Sequence, residues 1–480
     1  MARHKSKVDV LLLIPPQPKG VSVQADAVLA RCAGVYSKTD YHIPPLGLCY
    51  IAGILRENGI SVFIIDCPAG NISEREALHR IKAIRPDFII ISPGTSALTN
   101  DLDFIKRLGD EGLAFTSIGC GTHLTVLPED GLSGGLDYIV RGEPEMTTLE
   151  LISALKSGKD LSKVNGISYL KNGEVINNER RKLIEDLDAV PLPARDLISD
   201  FYYEPPYSGG GRFTIMTVSR GCPYPCTYCA TSSYYGRKVR FRSVDNVLDE
   251  IREIKMKYDI IGFWDDTFTL KRKYVIELMK RMVSENLTVP FLCMSRIDTV
   301  DGEMLSYMKR AGCRLILYGV ESASQRVLDI LNKKTKVDGV EKVFDMTRDA
   351  GIETAGFFMI GTPGETRREI IETIELAHHL DPDYVSFNIT TPYPGSELYK
   401  KYKHIFKKWE DFDARHSMDE DGKVLEDYID RAYRSFYFRL SYILRRLAKT
   451  QSKAGLLVLF RAGFDVLNRY MLRGMLGGVR

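Results

Sequence analysis

The chain has 480 residues, 44% of them hydrophobic and 27% charged, which suits a large buried core and excludes a disordered tail or a small disulfide scaffold. Its 66 Lys and Arg against 63 Asp and Glu leave +3, which argues against a generally nucleic-acid-coating protein, although an average can hide a local asymmetry. At roughly 150 residues per domain, the length predicts two or three domains.

The start, Met1 to Lys7, is basic, but the apolar run Val8 to Ile14 behind it is short and ends in Pro15-Pro16. It reads as a first strand and not as a signal peptide. No uncharged apolar stretch approaches the ~20 residues of a membrane helix; Ala454 to Phe460, for one, has seven. Over residues 1–160 strand-length runs (Val8 to Ile14, Ser61 to Ile65, Phe88 to Ser92, Ala114 to Ile118, Tyr138 to Val140) alternate with helical patterns (Leu46 to Asn58, Ser73 to Ile84, Leu102 to Glu111). This predicts an α/β fold with a Rossmann-like parallel sheet. The loops Ser92 to Ala97 and Gly119 to His123 fall at carboxyl ends of strands, where open sheets bind ligands, and their small residues suit a large ligand held by backbone. A dinucleotide site is the alternative, but Pro15-Pro16-Gln17-Pro18 stands where a glycine fingerprint would follow the first strand.

Residues 161–210 read as a linker carrying a hairpin, Ile167 to Leu170 and Glu174 to Ile176 around Asn172-Gly173. From 211 to 395 six strands recur, near Thr214 to Val218, Ile260 to Trp264, Phe291 to Met294, Leu315 to Tyr318, Thr354 to Ile360 and Tyr384 to Asn388. Helical patterns between them predict a partial (β/α)6 barrel. Residues 396–480 read as a helical end.

Nine cysteines without an export signal argue against a disulfide framework, and six of them stand singly. The other three form Cys222-Pro223-Tyr224-Pro225-Cys226-Thr227-Tyr228-Cys229, just after the first barrel strand. Three soft ligands on one tight loop can hold three irons of a [4Fe-4S] cluster and leave the fourth open, whereas a zinc knuckle would need a fourth Cys or His. Asp265-Asp266 close the second barrel strand, Ser295-Arg296 the third, Gly319 to Ser322 the fourth and Gly361 to Glu365 the fifth, all at the edge where barrel sites assemble.

With Tyr228 as the aromatic inside C-x3-C-x2-C, this half resembles the radical S-adenosylmethionine (SAM) superfamily. The resemblance implies that Cys222, Cys226 and Cys229 bind the cluster and that Tyr228, Asp266, Ser295, Arg296, Glu321, Ser322 and Gly361 hold SAM. Helix capping is the alternative for Asp266 and Glu321. On Ile43 to Leu48, Ser92 to Ser96, Gly119 to Pro128 and Asp137 to Glu145, the first half resembles the cobalamin-binding domain fused to many radical SAM enzymes. That implies a cobalamin site from Pro45, Leu46, Gly47, Ser92, Thr95, Ser96, Gly119, Gly121, Thr122, His123, Gly142 and Glu143. Corrinoid domains that bind cobalt from below carry D-x-H-x-x-G, and Asp40-Tyr41-His42-Ile43-Pro44-Pro45 has proline for that glycine. Cobalt without a protein histidine is therefore expected, with His42 as the alternative lower ligand and His123 at the corrin periphery or in loop packing.

The implied activity is reductive SAM cleavage, with the 5′-deoxyadenosyl radical taking hydrogen from an unactivated carbon of a small or lipid-like substrate. The electron comes from an external donor of flavodoxin or ferredoxin type. C-methylation from methylcobalamin is expected. The alternatives are oxidation, rearrangement or cyclisation of the kind performed by anaerobic magnesium-protoporphyrin cyclases, and a non-catalytic cobalamin sensor or carrier. No segment suggests a nucleic-acid partner, and a cytoplasmic location is expected.

The net charge divides sharply, because residues 431–480 carry +10 and the first 430 carry −7. Tyr433, Phe436, Tyr437, Leu440, Leu444 and Leu447 are expected on one helical face and Arg434, Arg445, Arg446 and Lys449 elsewhere, followed by an apolar patch from Leu456 to Met471 edged by Arg461, Arg469 and Arg473. This suits peripheral contact with an anionic membrane, or packing on the barrel with a basic outer face.

Overall fold

The computed structural model describes residues 8–18, 42–203, 205, 207, 210–413, 418, 422–449, 460 and 463. Asp40, Tyr41, Cys32 and the Leu456–Met471 patch, apart from Phe460 and Gly463, lie outside them.

The first sheet contains β1 (Val10–Ile14), β2 (Val62–Asp66), β3 (Phe88–Ile91), β4 (Thr116–Gly119), β5 (Tyr138–Val140), β6 (Ile167–Lys171) and β7 (Glu174–Asn177), in the order β2-β1-β3-β4-β5-β6-β7. The first five are mutually parallel. Val10 and Leu12 pack with helices Leu46–Glu57 and Pro144–Ser157 on one face. Leu11 and Leu13 pack with helices Glu74–Ile84 and Leu98–Asp110 on the other. Burial on both faces is why β1 is apolar at every position. The hairpin does not stand in a linker: β6 pairs antiparallel with β5, and β7 with β6, so it extends the sheet beyond β5. Asn172 (φ 53°) and Gly173 (φ 84°) supply the left-handed turn it needs.

The second sheet is β8 (Phe213–Met216), β11 (Ile260–Phe263), β12 (Phe291–Arg296), β13 (Cys313–Glu321), β14 (Glu353–Ile360) and β15 (Tyr384–Ile389), all parallel, with β9 (Ser219–Arg220) and β10 (Arg240–Phe241) forming a small antiparallel ribbon beside it. This is a partial barrel with its helices outside. Its inner face, Phe213, Ile215, Leu292, Leu315, Leu317 and Ala355, packs on Leu46 and Tyr50 from the first domain's opening helix. The two halves thus share one apolar core.

The edge strand β15 is covered by helix Gly422–Tyr437. The Tyr437 hydroxyl bonds both the N–H and C=O of Val385, and the Tyr433 hydroxyl those of Phe387, which satisfies backbone groups an edge leaves open. The expected continuous amphipathic face does not persist. The chain breaks at Phe438–Arg439, and helix Leu440–Lys449 turns its basic side inward. Arg445 and Arg439 pair with Asp381, Arg446 with Glu353 (2.8 Å) and Asp383, and Lys449 with Asp383 (2.6 Å). Leu440, Ile443, Leu444 and Leu447 are left exposed, so the outer face is apolar and not basic. Among the described residues no helix is long and apolar enough to cross a membrane.

Candidate functional site

The cysteine loop leaves the carboxyl end of the barrel through Ser219 and Arg220. Asp265 fastens its root, accepting the N–H groups of Val218 (3.0 Å) and Ser219 (2.6 Å) and the Ser219 hydroxyl (2.6 Å), while burial pushes its carboxyl up to about 7. Asp266, the adjacent acid, faces the loop itself and accepts from Thr231 Oγ1 at 3.2 Å. Cys229 Sγ lies 3.3 Å from the same Thr231 hydroxyl, and Cys222 Sγ lies 3.9 Å from Thr267 Oγ1. Burial, aided by the Asp266 charge, pushes the Cys229 thiol up to about 12 and raises that of Cys222. Thiolate ligation here calls for a strong positive centre, which iron provides. Among the described residues no three ligating side chains converge as around a single ion, whereas a cluster lets each thiolate bind a different iron.

The ends of β12 and β13 also close on this loop. The Arg296 guanidinium lies 3.5 Å from the ring centre of Tyr224, between the first two cysteines, and is held by Asp298 (2.8 Å) and the Lys333 carbonyl (2.9 Å). Ser295 shares its hydroxyl with Thr269 (2.5 Å) and lies 3.4 Å from Thr299. The Tyr228 hydroxyl donates to Glu321 Oε1 at 3.0 Å, and Lys333 Nζ reaches the same oxygen at 2.6 Å. Burial and the Glu321 charge raise the Tyr228 phenol far above its ordinary value, so it stays a donor. Glu321 takes a left-handed φ of 70°, unusual for a side-chain-bearing residue and strained. A Cβ on Gly319 would stand 2.5 Å from that carboxylate and 2.8 Å from Lys333 Nζ, so a side chain there would displace the pair. Ser322 anchors its loop through Thr373 and the Ser324 N–H. Gly361 gives room to Leu425 of the C-terminal helix. The structure therefore gathers Tyr228, Asp266, Arg296 and Glu321 around the cysteines, while Ser295, Ser322 and Gly361 shape the loops behind them.

At the carboxyl edge of the first sheet, Ser96 Oγ and Thr122 Oγ1 are buried with no hydrogen-bond partner among the described residues. Orphaned hydroxyls of this kind fit a ligand edge rich in amides, as a corrin is. Gly121 (φ 97°, ψ 179°) lies where a Cβ would meet Ser92 Oγ at 2.7 Å. Thr95 Oγ1 and Asp130 Oδ2 hold the two nitrogens of His123 at 3.2 and 3.1 Å, and Trp409 stands edge-on to its ring, so His123 serves loop packing. His42 is half-buried just ahead of Pro45, which caps the helix that Leu46 and Gly47 open. Leu46 is spent in the shared core, and Gly119 makes room for Leu124 and Leu136.

Glu143 is not turned to a ligand. It accepts from Arg220 (2.9 Å), Arg240 (2.8 Å) and the Ile184 N–H (2.7 Å). Glu145 takes the other arm of Arg220 at 2.6 Å, and the Arg220 guanidinium lies 5.3 Å from the ring centre of Tyr50. Gly142 likewise gives its carbonyl to the Tyr234 hydroxyl (2.6 Å). Together these contacts form a buried latch from the first domain to the root of the cysteine loop. Burial opposes ionisation of Glu143, but the two arginines outweigh it and hold the carboxyl below its ordinary value. Sequence reasoning missed Lys333, Thr231, Tyr224 and this latch; only the run Asn332-Lys333-Lys334 hinted at a basic group near the site.

Two family models match, the radical SAM superfamily over residues 216–377 and the B12 binding domain over 33–152. An uncharacterized methyltransferase of Pyrococcus horikoshii is 32% identical over 91% of this chain and 94% of its own length. The anaerobic magnesium-protoporphyrin IX monomethyl ester cyclase of Rubrivivax gelatinosus is 28% identical over 85% of this chain and 76% of its own. Among solved structures, the cobalamin-dependent SAM radical enzyme OxsB, with aqua-cobalamin and SAM bound, shares the fold with a TM-score of 0.71 at 18% identity, over 97% of this chain and 72% of its own.

Proposed function

Because the chain belongs to the cobalamin-dependent radical SAM enzymes, we propose that it C-methylates an unactivated carbon of a hydrophobic small molecule. The observation that carries this reading is the convergence of Asp266, Arg296 and Glu321, from three successive strand ends, on one three-cysteine loop through Thr231, Tyr224 and Tyr228. With a [4Fe-4S] cluster, SAM and cobalamin bound, the cofactors supply reductive cleavage of SAM to methionine and a 5′-deoxyadenosyl radical, and a methyl group for the substrate. Cys222, Cys226 and Cys229 hold three irons. Asp266 and Glu321 offer acceptors to the amino and ribose groups of SAM, while Lys333 and Tyr228 keep Glu321 in place. Ser96, Thr122 and the backbone around Gly121 offer themselves to the corrin, and the shared core behind the site excludes water.

Likeness to the cyclase over most of the chain favours a second reading, oxidative ring formation. Substrate mass separates the two: methylation adds one CH2, and ring closure removes hydrogens. Anaerobic reconstitution followed by SAM and dithionite should yield 5′-deoxyadenosine, and Cys226→Ala should abolish it; equal yields with the cluster present in wild type would sink the proposal. The exposed face of Leu440, Ile443, Leu444 and Leu447 also supports peripheral contact with a membrane holding a lipid-like substrate. Pelleting with anionic vesicles, lost when Leu440, Ile443, Leu444 and Leu447 are changed to Ser, tests this, and no binding at low salt would remove it.

A further inference from the structure

Two separate segments close on the cysteine loop from outside, and both meet at Thr227, between Cys226 and Cys229. Thr227 donates its N–H to the Leu331 carbonyl (2.9 Å) and accepts the Leu398 N–H on its own carbonyl (3.0 Å). Asn332 Nδ2 bonds the Pro225 carbonyl at 2.9 Å, and the Ser233 hydroxyl bonds the Gly395 carbonyl, so each segment is seated twice. The first continues into Lys334 and Lys336, the second into Lys400, Lys401 and Lys403, all exposed. None of these five forms an ion pair among the described residues, and what sets them apart from other exposed lysines is that both segments carrying them bond to the one loop residue, Thr227. From Glu397 to Lys408 there are five lysines and a single acid, although the first 430 residues carry a net −7.

We propose that this lysine collar is the docking surface for an acidic one-electron donor protein, which passes its electron inward through the loop between Cys226 and Cys229. The inference rests on the radical SAM reading above. One electron leaves the donor and enters the cluster, and no bond forms or breaks. Unpaired lysines around the entry point concentrate field lines there, which raises the encounter rate of a negatively charged partner at low ionic strength. Lysine suits a transient contact, because its flexible charge binds without the fixed geometry of an arginine fork.

The test uses reconstituted full-length enzyme and follows bleaching of the cluster by stopped-flow absorbance. The reductant is either dithionite, which needs no docking, or an acidic flavodoxin in its hydroquinone state. In wild type the flavodoxin-driven rate should fall steeply with added salt. Reversing Lys334, Lys400, Lys401 and Lys403 to Glu should lower it at least about tenfold at low salt and flatten the salt dependence, with the dithionite rate unchanged. A control reversing Lys106, Lys159, Lys171 and Lys257, of equal charge change, should stay close to wild type. The milder Lys→Gln set should fall between them. A flat salt dependence in wild type, an equal loss in the control, or a loss of the dithionite rate in the collar variant would each overturn the proposal. So would unchanged reduction accompanied by lost binding to anionic vesicles, which would make the collar a membrane contact. Failure of wild type to bleach even with dithionite would instead overturn the underlying enzyme reading.

Discussion

Glu143→Gln removes the one negative charge that two buried guanidinium groups share. The side chains of Glu143, Arg220 and Arg240 are 4%, 5% and 2% exposed. After the change Arg220 keeps Glu145 at 2.6 Å, but Arg240 keeps no anion, only the Ile184 carbonyl and the Tyr235 ring 5.6 Å away, and its Nε and Nη2 already have no hydrogen-bond partner among the described residues. Breaking a buried pair and leaving one charge behind costs about 3–5 kcal/mol, on the order of a hundredfold to a few thousandfold in the folding equilibrium. Adding Arg240→Met takes away the stranded charge and leaves Arg220 balanced by Glu145, so the double variant should be more stable than the sum of the single losses by at least about 1 kcal/mol. Urea unfolding of the cofactor-free protein measures this. Its two tryptophans report on different halves, Trp264 from the barrel's inner core and Trp409 from its contact with His123. A single-variant loss below about 1 kcal/mol, or strict additivity in the double, would refute the idea that the latch is one coupled charge network.

Three further outcomes are expected. Glu250, fully buried between Arg242 and Arg195, is held below its ordinary value of 4.5 because those two charges outweigh its burial. Its contribution is therefore fully present above 4.5 and lost as pH falls through the lower native value, and Glu250→Gln should flatten that acid limb in unfolding titrations. Gly319→Ala should push the Glu321–Lys333 pair apart and weaken SAM binding by roughly tenfold or more in equilibrium dialysis, with little change in cluster content. Gly121→Ala forces a side chain into a glycine-only backbone region against Ser92; it should cost about 1–3 kcal/mol and reduce cobalamin uptake seen in the visible spectrum.

What could be read from the residues follows from which forces are local. The apolar run of β1 and the Asn172-Gly173 turn announce themselves, because burial on both faces and a left-handed turn restrict residue type directly. The three cysteines do so through ligand chemistry. Lys333 did not, since one lysine in a run of polar residues looks solvated until the fold brings it 2.6 Å from Glu321. Glu143 stands at a strand end and so resembled a ligand contact, but its partner Arg220 is 77 residues away along the chain. The C-terminal helices misled for a related reason: periodicity marks two faces and does not say which one docks. Asp381, Asp383 and Glu353 on the barrel decide that, drawing the arginines inward and turning the leucines out.

The insertion of Leu46 and Tyr50 into the barrel's inner face also constrains how the molecule can assemble. The helix that carries them is made early, while its counterparts Leu292, Leu315 and Ala355 emerge from the ribosome only much later. Until then the N-terminal half holds an apolar plug with nothing to fill, the kind of surface that invites chaperone binding or aggregation. Closing that contact spans hundreds of residues, so it is a late and slow event. The two halves are accordingly poor candidates for separate expression or for recombination with foreign partners, since each would leave behind one side of a shared interior.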